Sequence, residues 1–452
     1  MSEETSVEKG KTISSSLSSF YLMITGLSFS ILGASITGFS ISLWILDHTK
    51  SITLFTLVAA VNTLPAVLLG PIAGAYVDRW NRRKVLLVAE SGACLSVVCL
   101  AAIYGQGLLG IEYIIIFGVI NSLCQAFILP AVAASTIMMV PAAQLARANS
   151  ARVVSMGLAQ LLAPAIAGFL LGAIELKGIF ALSIVGFLIA IASIISIRIP
   201  QPIKTQNLDK AMESIWAEMN FAWQYLRSQT GLFLLLVFYA TVNFSIVSLN
   251  VLFLPLMKNF ATVKQIGLVV SIGGAGILLG GVATMLFGNV QHKILTTLMM
   301  SAVISFSIIF STIMPSIYSV GIGIFIITAS FPVIMSLSQT VWQQKLAPDV
   351  QGRIFGFRAT VVGVTIPIAY LLSGLLADGF FEPGMQAGGT LAQWFGSLYG
   401  VGAGRGLAVM AGMYGLITLL AVILAALHPR IRNLEKELPD CKVVAEGQIE
   451  PA

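Results

Sequence analysis

The sequence predicts an all-α polytopic membrane protein, with twelve transmembrane helices set as two pseudo-symmetric bundles of six. Three observations carry that prediction. The chain of 452 residues is 57% apolar and only 10% charged, with a mean hydropathy of +0.94, whereas a soluble domain carries ~25% charged residues. Apolar stretches near the ~20 residues needed to cross a bilayer recur along its length. The basic residues alternate with those stretches instead of scattering among them.

The first six spans fall at 20–46, 53–76, 85–105, 111–138, 153–174 and 178–198, the second six at 231–257, 265–288, 294–313, 316–342, 354–379 and 406–428. Residues 1–19 form a polar amino-terminal tail, and the first span is too long for a cleavable signal. Residues 429–452 form a charged, loosely ordered tail. With both termini inside, all but five of the 25 Lys and Arg lie on the cytoplasmic side; the exceptions are Lys50, Lys177, Lys258, Lys264 and Arg405. This asymmetry orients the chain and supports the span count. The implied setting is the plasma (inner) membrane. The net charge of +6 then implies anionic lipid as the partner of the loops, and no nucleic acid.

Residues 199–230 divide the chain into its two sets of six. Leu208, Met212, Ile215, Met219, Ala222 and Leu226 recur there at helical spacing, flanked by Trp216 and Trp223. That pattern predicts an amphipathic helix at the inner membrane surface. The second long connection, 380–405, is rich in glycine and predicts a flexible outer loop. Its Gly400-Val-Gly-Ala-Gly404-Arg-Gly406 run lacks the Gly-Lys-Ser/Thr ending of a phosphate loop, and no strand precedes it.

Enzymatic chemistry has no foothold in the chain. Cys94, Cys99 and Cys124 lie within spans and Cys441 in the tail; His48, His292 and His428 are scattered. Neither a metal site, a disulfide framework nor a cofactor is expected. No Ser-His-Asp set is recognisable.

The two halves repeat. Leu68-Leu-Gly-Pro-Ile-Ala-Gly-Ala-Tyr-Val-Asp78-Arg-Trp-Asn-Arg82-Arg83 aligns without gaps on Leu278 to Lys293, setting Gly70 on Gly280, Gly74 on Thr284 and Asp78 on Gly288. Gly74-x-x-x-Asp78-Arg79-x-x-Arg82-Arg83-Lys84 resembles the motif between helices 2 and 3 of the major facilitator superfamily. Asp-Arg-Trp-Asn-Arg-Arg-Lys is similar to the macrolide-efflux and enterobactin-exporter branch. Phe127-x-x-Pro130…Pro141…Asn149 and Gln339…Gln344…Pro348…Gly352-Arg353 look like the same branch. Span 4 lacks the Arg-x-x-Gln-Gly of many proton-coupled members, and span 5 keeps only Gly157, Ala163-Pro164 and Gly168 of the antiporter motif.

The resemblance implies a secondary active transporter working as a monomer by alternating access, with proton-coupled efflux of an amphipathic small molecule such as a macrolide or siderophore. Import or uniport of a neutral solute is the alternative, and a lipid flippase a further one. Gly74, Asp78, Arg79, Arg82 and Arg83 are expected to act as a latch that shuts the cytoplasmic side, with the Gly70/Gly74 face allowing close helix approach. Asp78 would be favoured beside a helix N-terminus.

Glu90 is the one acid set clearly inside a span, roughly one and a half turns into span 3. It is the candidate for proton coupling, unless a loop arginine pairs with it. Asp47, Glu112 and Asp378, near outer span ends, are expected at the interface. In the resembled family, spans 1, 4, 7 and 10 line a central cavity. Here they offer Thr37, Ser40, Asn121, Gln125, Asn243, Asn250, Ser336 and Gln339, with Phe39, Tyr239 and Phe244 for apolar contact. That lining is uncharged and argues against an anionic or strongly cationic substrate that would need a buried counter-ion. For any single residue, a helix-to-helix hydrogen bond worth ~0.6 kcal/mol is the competing role.

Overall fold

The computed structural model describes residues 2–77, 80–141, 144–200, 209–287, 290–314 and 316–438. Helix dominates throughout, because a backbone in lipid must satisfy its own N–H and C=O groups. Among the described residues eleven helices are long and apolar enough to cross a membrane.

The amino-terminal half comprises α1 (Ser2–Thr49), α2 (Ile52–Val77), α3 (Arg82–Gly105), α4 (Ile111–Met139) and α5 (Leu145–Ser196). Helix α5 holds two spans, since its backbone breaks at Glu175 (φ 54°, ψ −177°). That break restores twelve spans. Helix α6 (Asp209–Ser228) is the linker. The carboxy-terminal half comprises α7 (Thr230–Lys258), α8 (Val263–Phe287), α9 (Lys293–Ile313), α10 (Ile317–Lys345) and α11 (Pro348–Leu376), then α12 (Glu382–Gly384), α13 (Thr390–Tyr399) and α14 (Arg405–Leu427), with α15 (Pro429–Arg432) and α16 (Leu434–Glu437) after them. We call the end of the bundles nearest α6 the linker face and the opposite end the far face.

Within the first half α1 packs on α5, and α4 on α2 and α3; within the second, α10 packs on α8 and α9, and α14 on α7 and α9. Two seams join the halves, α5 to α8 and α2 to α11. The first seam is a backbone-to-backbone approach. A Cβ on Gly267 would come 2.5 Å from the Pro164 carbonyl oxygen, and one on Gly168 would come 3.0 Å from that of Val263. The surviving pieces of the antiporter-like motif, Pro164 and Gly168, therefore lie on this seam.

Three connecting segments differ from expectation. The helix of α1 runs back to Ser2, through the segment expected to be a tail. The glycine-rich outer connection is ordered as helix, not loop. Leu391, Trp394, Phe395 and Leu398 recur along α13 at helical spacing, which glycine-rich flanks obscured in the sequence. Beyond α13, Gly400, Gly402 and Gly404 adopt positive φ, a backbone that glycine alone adopts without penalty. The run then delivers the Gly404 and Leu407 N–H groups to the Glu382 carboxylate at 3.0 and 2.9 Å. The start of α14 thus holds an anion, as a helix N-terminus favours, and that anion belongs to the chain itself.

Residues 429–438 also pack, where a loose tail was expected; the rest of that tail, 439–452, lies outside the described residues. Leu434 and Ile431 are buried. The Lys345 ammonium at the end of α10 donates to the Glu435 and Leu438 carbonyls, and Glu435 Oε1 accepts from Ile294 N at 3.2 Å.

The later part of the α6 stripe docks on the second half; Leu208 and the side chains of Met212 and Ile215 lie outside the described residues. Ala222 and Leu226 are fully buried, Trp223 meets Phe233 and Phe357, and Arg353 lies 4.9 Å over the Phe221 ring.

Candidate functional site

The connection between α2 and α3 builds from its cap upward. Asn81, where a glycine is usual in the resembled motif, is the N-cap of α3; its side chain accepts from Lys84 N at 3.1 Å. That cap aims the next two arginines inward. Arg82 is 7% exposed and its Nη1 donates to the Ala134 carbonyl of α4 at 3.2 Å. Arg83 Nε donates to the Ile194 carbonyl at 3.1 Å, and Nη2 to that of Ile195, at the end of α5. Trp80 stacks on Phe127 of α4, which joins two of the sequence motifs in space. Asp78 and Arg79 lie outside the described residues. Gly70 and Gly74 stand clear among the described residues: a Cβ on either would meet no described atom within 4 Å. Among the described residues, the close approach expected of this glycine pair is absent in this conformation. By contrast Gly280, which aligns with Gly70, sits so tightly on α10 that a Cβ would fall 2.1 Å from the Ala329 oxygen.

Glu90 is 1% exposed. Ser30 of α1 donates to its Oε1 at 3.2 Å, and its Oε2 has no hydrogen-bond partner. Among the described residues it forms no ion pair with an arginine.

Two cavities are lined by residues of the candidate spans. The first, about 510 Å³, is enclosed within the amino-terminal half by α1 to α4. Thr37, Asn121 and Gln125 line it, with Ser42, Asn62, Thr63, Ser96 and Ser122 adding polar groups and Phe55 and Phe117 apolar walls. Thr37 Oγ1 and Asn62 Oδ1 are buried and unpartnered, so the cavity presents unused hydrogen-bonding capacity. The second cavity, about 380 Å³, lies between the halves and is lined by Phe39, Phe55, Asn250, Thr328 and Tyr370 among others.

The remaining sequence candidates are spent elsewhere. Ser40 is fully buried and donates to the Ile36 carbonyl, facing the core instead of the cavity. Asn243 accepts from Thr365 Oγ1 at 3.1 Å, a bond between α7 and α11. Gln339 accepts from Arg358, and Ser336 is exposed. Neither lines the two cavities. Phe244 packs edge-on against Tyr414.

At the far face the halves are tied together by polar groups. Asp378 Oδ2 accepts from Thr53 N at 2.7 Å and from Ser51 Oγ at 2.9 Å. Thr53 Oγ1 donates to the Gly374 carbonyl at 2.9 Å. Asp47 of α1 pairs with Lys258 of α7. The molecule is therefore clasped at the far face, while the linker-face end of α2 carries glycines at which an added Cβ would meet no described atom.

Residues 23–370 match the Major Facilitator Superfamily. The chain belongs to that superfamily. Macrolide efflux protein A of Streptococcus pyogenes is 28% identical over 372 residues, covering 79% of this chain and 89% of that protein. Macrolide efflux protein A of Enterococcus faecalis is 28% identical over 318 residues, covering 68% and 95%. Two solved structures share the fold. A bacterial homolog of the human lysosomal transporter Spinster, inward-facing and unoccupied, superposes with a TM-score of 0.66 at 13% identity, covering 90% of this chain and 94% of that one. A bacterial homologue of the iron transporter ferroportin, inward-facing, gives 0.67 at 14%, covering 90% and 98%.

The chain is thus a multi-pass membrane transporter of the superfamily, not an enzyme, and a small molecule is its cargo. Sequence reasoning missed Asn62 and Thr63, because candidates were drawn from spans 1, 4, 7 and 10 alone. An asparagine midway along the apolar α2 was the available signal. It also placed Asp47 and Asp378 at the interface without seeing that they join the halves.

Proposed function

We propose that this transporter exports an amphipathic small molecule of the macrolide or siderophore kind, by alternating access and at the expense of a proton gradient. One-sided closure carries the reading. Asp378 and Lys258 tie the halves at the far face, while Gly70 and Gly74 stand clear at the linker face. The distribution of Lys and Arg puts the linker face in the cytoplasm, together with both termini. The conformation is then inward-facing, with the cavity loaded from inside. The named activity of the Streptococcus and Enterococcus relatives supports export over import.

In the opposite state, Gly74 lets α2 approach α11 while Asp78, Arg79, Arg82 and Arg83 form the latch that closes the cytoplasmic side. Thr37, Asn121 and Gln125 offer hydrogen bonds to the cargo in the amino-terminal half, and Asn250 in the cleft. Glu90 carries the coupling proton: a carboxyl buried in the membrane beside one serine, with no cation among the described residues, exchanges that proton as access alternates. The chain works as a monomer in the plasma membrane.

The test is accumulation of a labelled macrolide in an efflux-deficient bacterium expressing the chain. Lower accumulation, restored by a protonophore, is the expected result. Unchanged accumulation across macrolides and other amphipathic compounds would overturn export.

A further inference from the structure

Arg358 is one of the basic residues that charge counting assigns to the cytoplasmic side, yet it stands ten residues into α11, about 15 Å from the start of that helix. Its surroundings are neutral. Nη2 donates to Ser338 Oγ at 2.9 Å and Nη1 to Gln339 Oε1 at 3.3 Å. The guanidinium lies over two rings, 5.3 Å from the centre of Trp342 and 5.8 Å from that of Tyr239. Among the described residues no carboxylate forms an ion pair with it. Trp342, Ser338 and Tyr239 make a buried floor, exposed by 0%, 0% and 4%, while Arg358 itself stays partly open.

A guanidinium has five N–H donors, and the two hydrogen bonds engage only part of that fork. Beneath it the Trp342 Nε1–H, a donor only, is buried without an acceptor. The cluster therefore has donors to spare and lacks an anion. Pinning α10 to α11 would explain the two bonds, but a neutral amide could do that without the cost of desolvating a charge. A permanent charge, presented as a planar fork over two aromatic faces, suits a carboxylate.

We infer that Arg358 binds a carboxylate of the transported molecule. The inference rests on the transport reading and adds to its cargo amphipathic acids, such as carboxylate-bearing siderophores, held at a group outside the two cavities described above.

Binding can be measured without transport, on protein purified into phosphatidylcholine nanodiscs. Thermal protection by 1-naphthylacetate is compared with that by 2-(1-naphthyl)ethanol, its neutral counterpart. The acid should bind about tenfold more tightly than the alcohol, as a charge-assisted hydrogen-bonded pair allows. Arg358→Gln should erase that preference, so that acid and alcohol bind alike. Arg358→Lys, which keeps the charge but loses the fork, should fall between and serves where the glutamine variant fails to fold. Equal binding of acid and alcohol by the native protein would overturn the inference, as would an undiminished preference in either variant. Adding phosphatidylglycerol should leave the acid preference intact; its loss would assign the site to a lipid headgroup and overturn the inference too. Failure of export in cells alongside a retained, Arg358-dependent acid preference would reject the export reading alone.

Discussion

Asp378, in the π-helical turn Ala377–Phe381 that follows α11, caps the N-terminus of α2: its Oδ2 accepts the Thr53 N–H at 2.7 Å. The two residues belong to different halves, so the cap is also a clasp. A carboxylate at a helix N-terminus gains from the helix dipole as well as from the hydrogen bond, up to ~2 kcal/mol where partly buried. Asp378→Asn keeps an acceptor and removes the charge. The far face of this variant should open more often, by up to about thirtyfold in the equilibrium. Spin-label distances between the outer ends of α1 and α7, measured by pulsed electron resonance, read the shift. An unchanged distance distribution would reject Asp378 as a clasp.

The neighbouring Asp47–Lys258 pair should matter less. Its side chains are 51% and 22% exposed, and ion pairs in contact with water contribute ~0–1 kcal/mol. Lys258→Met should therefore move the same distance distribution less than Asp378→Asn does, and its small effect should fade as salt is raised. A larger shift from Lys258→Met than from Asp378→Asn would reverse this ranking.

Gly280 and Gly74 give a paired prediction. Gly280→Ala places a methyl 2.1 Å from the Ala329 oxygen, a backbone atom that cannot turn aside. The seam between α8 and α10 must shift, and thermal stability should fall by about 1–3 kcal/mol. At Gly74 an added Cβ would meet no described atom within 4 Å in this conformation, so the melting temperature of Gly74→Leu should hold. Its transport should nevertheless fall steeply, because the added side chain obstructs closure of the linker-face end of α2. Normal transport by Gly74→Leu would show that α2 does not close there.

How much of this could be read from the sequence depends on the kind of information involved. Spans and their pairing into halves follow from apolar length and alternating charge, both one-dimensional properties, and were legible. The α13 helix was not, because its four apolar residues sit between glycine clusters that dominate a window of that size. The clasp was half legible. Asp47 and Asp378 were placed at span ends, but an acid at an interface looks the same whether it meets water or the N-terminus of a helix over 300 residues away in sequence. Arg358 was misread for a related reason: charge counting assigns a base near a span end to the loop, and only packing shows it lying across Tyr239 and Trp342. Ser40 and Thr37, three residues apart, were expected to share a role. The structure sends Ser40 to the Ile36 carbonyl and Thr37 to the cavity, a choice set by the neighbouring helices and absent from the local pattern.

Glu90 carries the remaining prediction. Its Oε1 is held by Ser30 and its Oε2 is buried without a partner. A carboxylate left in that state is costly, since each unpaired buried polar group costs about 1–3 kcal/mol and a charge more. A proton on Oε2 removes the charge. Glu90→Gln mimics that protonated form, preserves an acceptor for Ser30 and should fold normally. It should bind cargo as well as the native protein does but move protons poorly. Reconstituted into liposomes with a trapped pH-sensitive dye, the native protein should acidify or alkalinise the lumen when cargo is added, and Glu90→Gln should reduce that flux at least tenfold, the scale of losing one obligatory group from a coupled cycle (about 1.4 kcal/mol or more). Cargo exchange without a gradient should persist in the variant, which separates coupling from damage to the fold. Ser30→Ala should have a milder effect, because it removes one neutral hydrogen bond of about 1 kcal/mol. If Glu90→Gln carries protons and cargo at the native rate, the carboxyl is structural and the coupling group lies elsewhere in the chain.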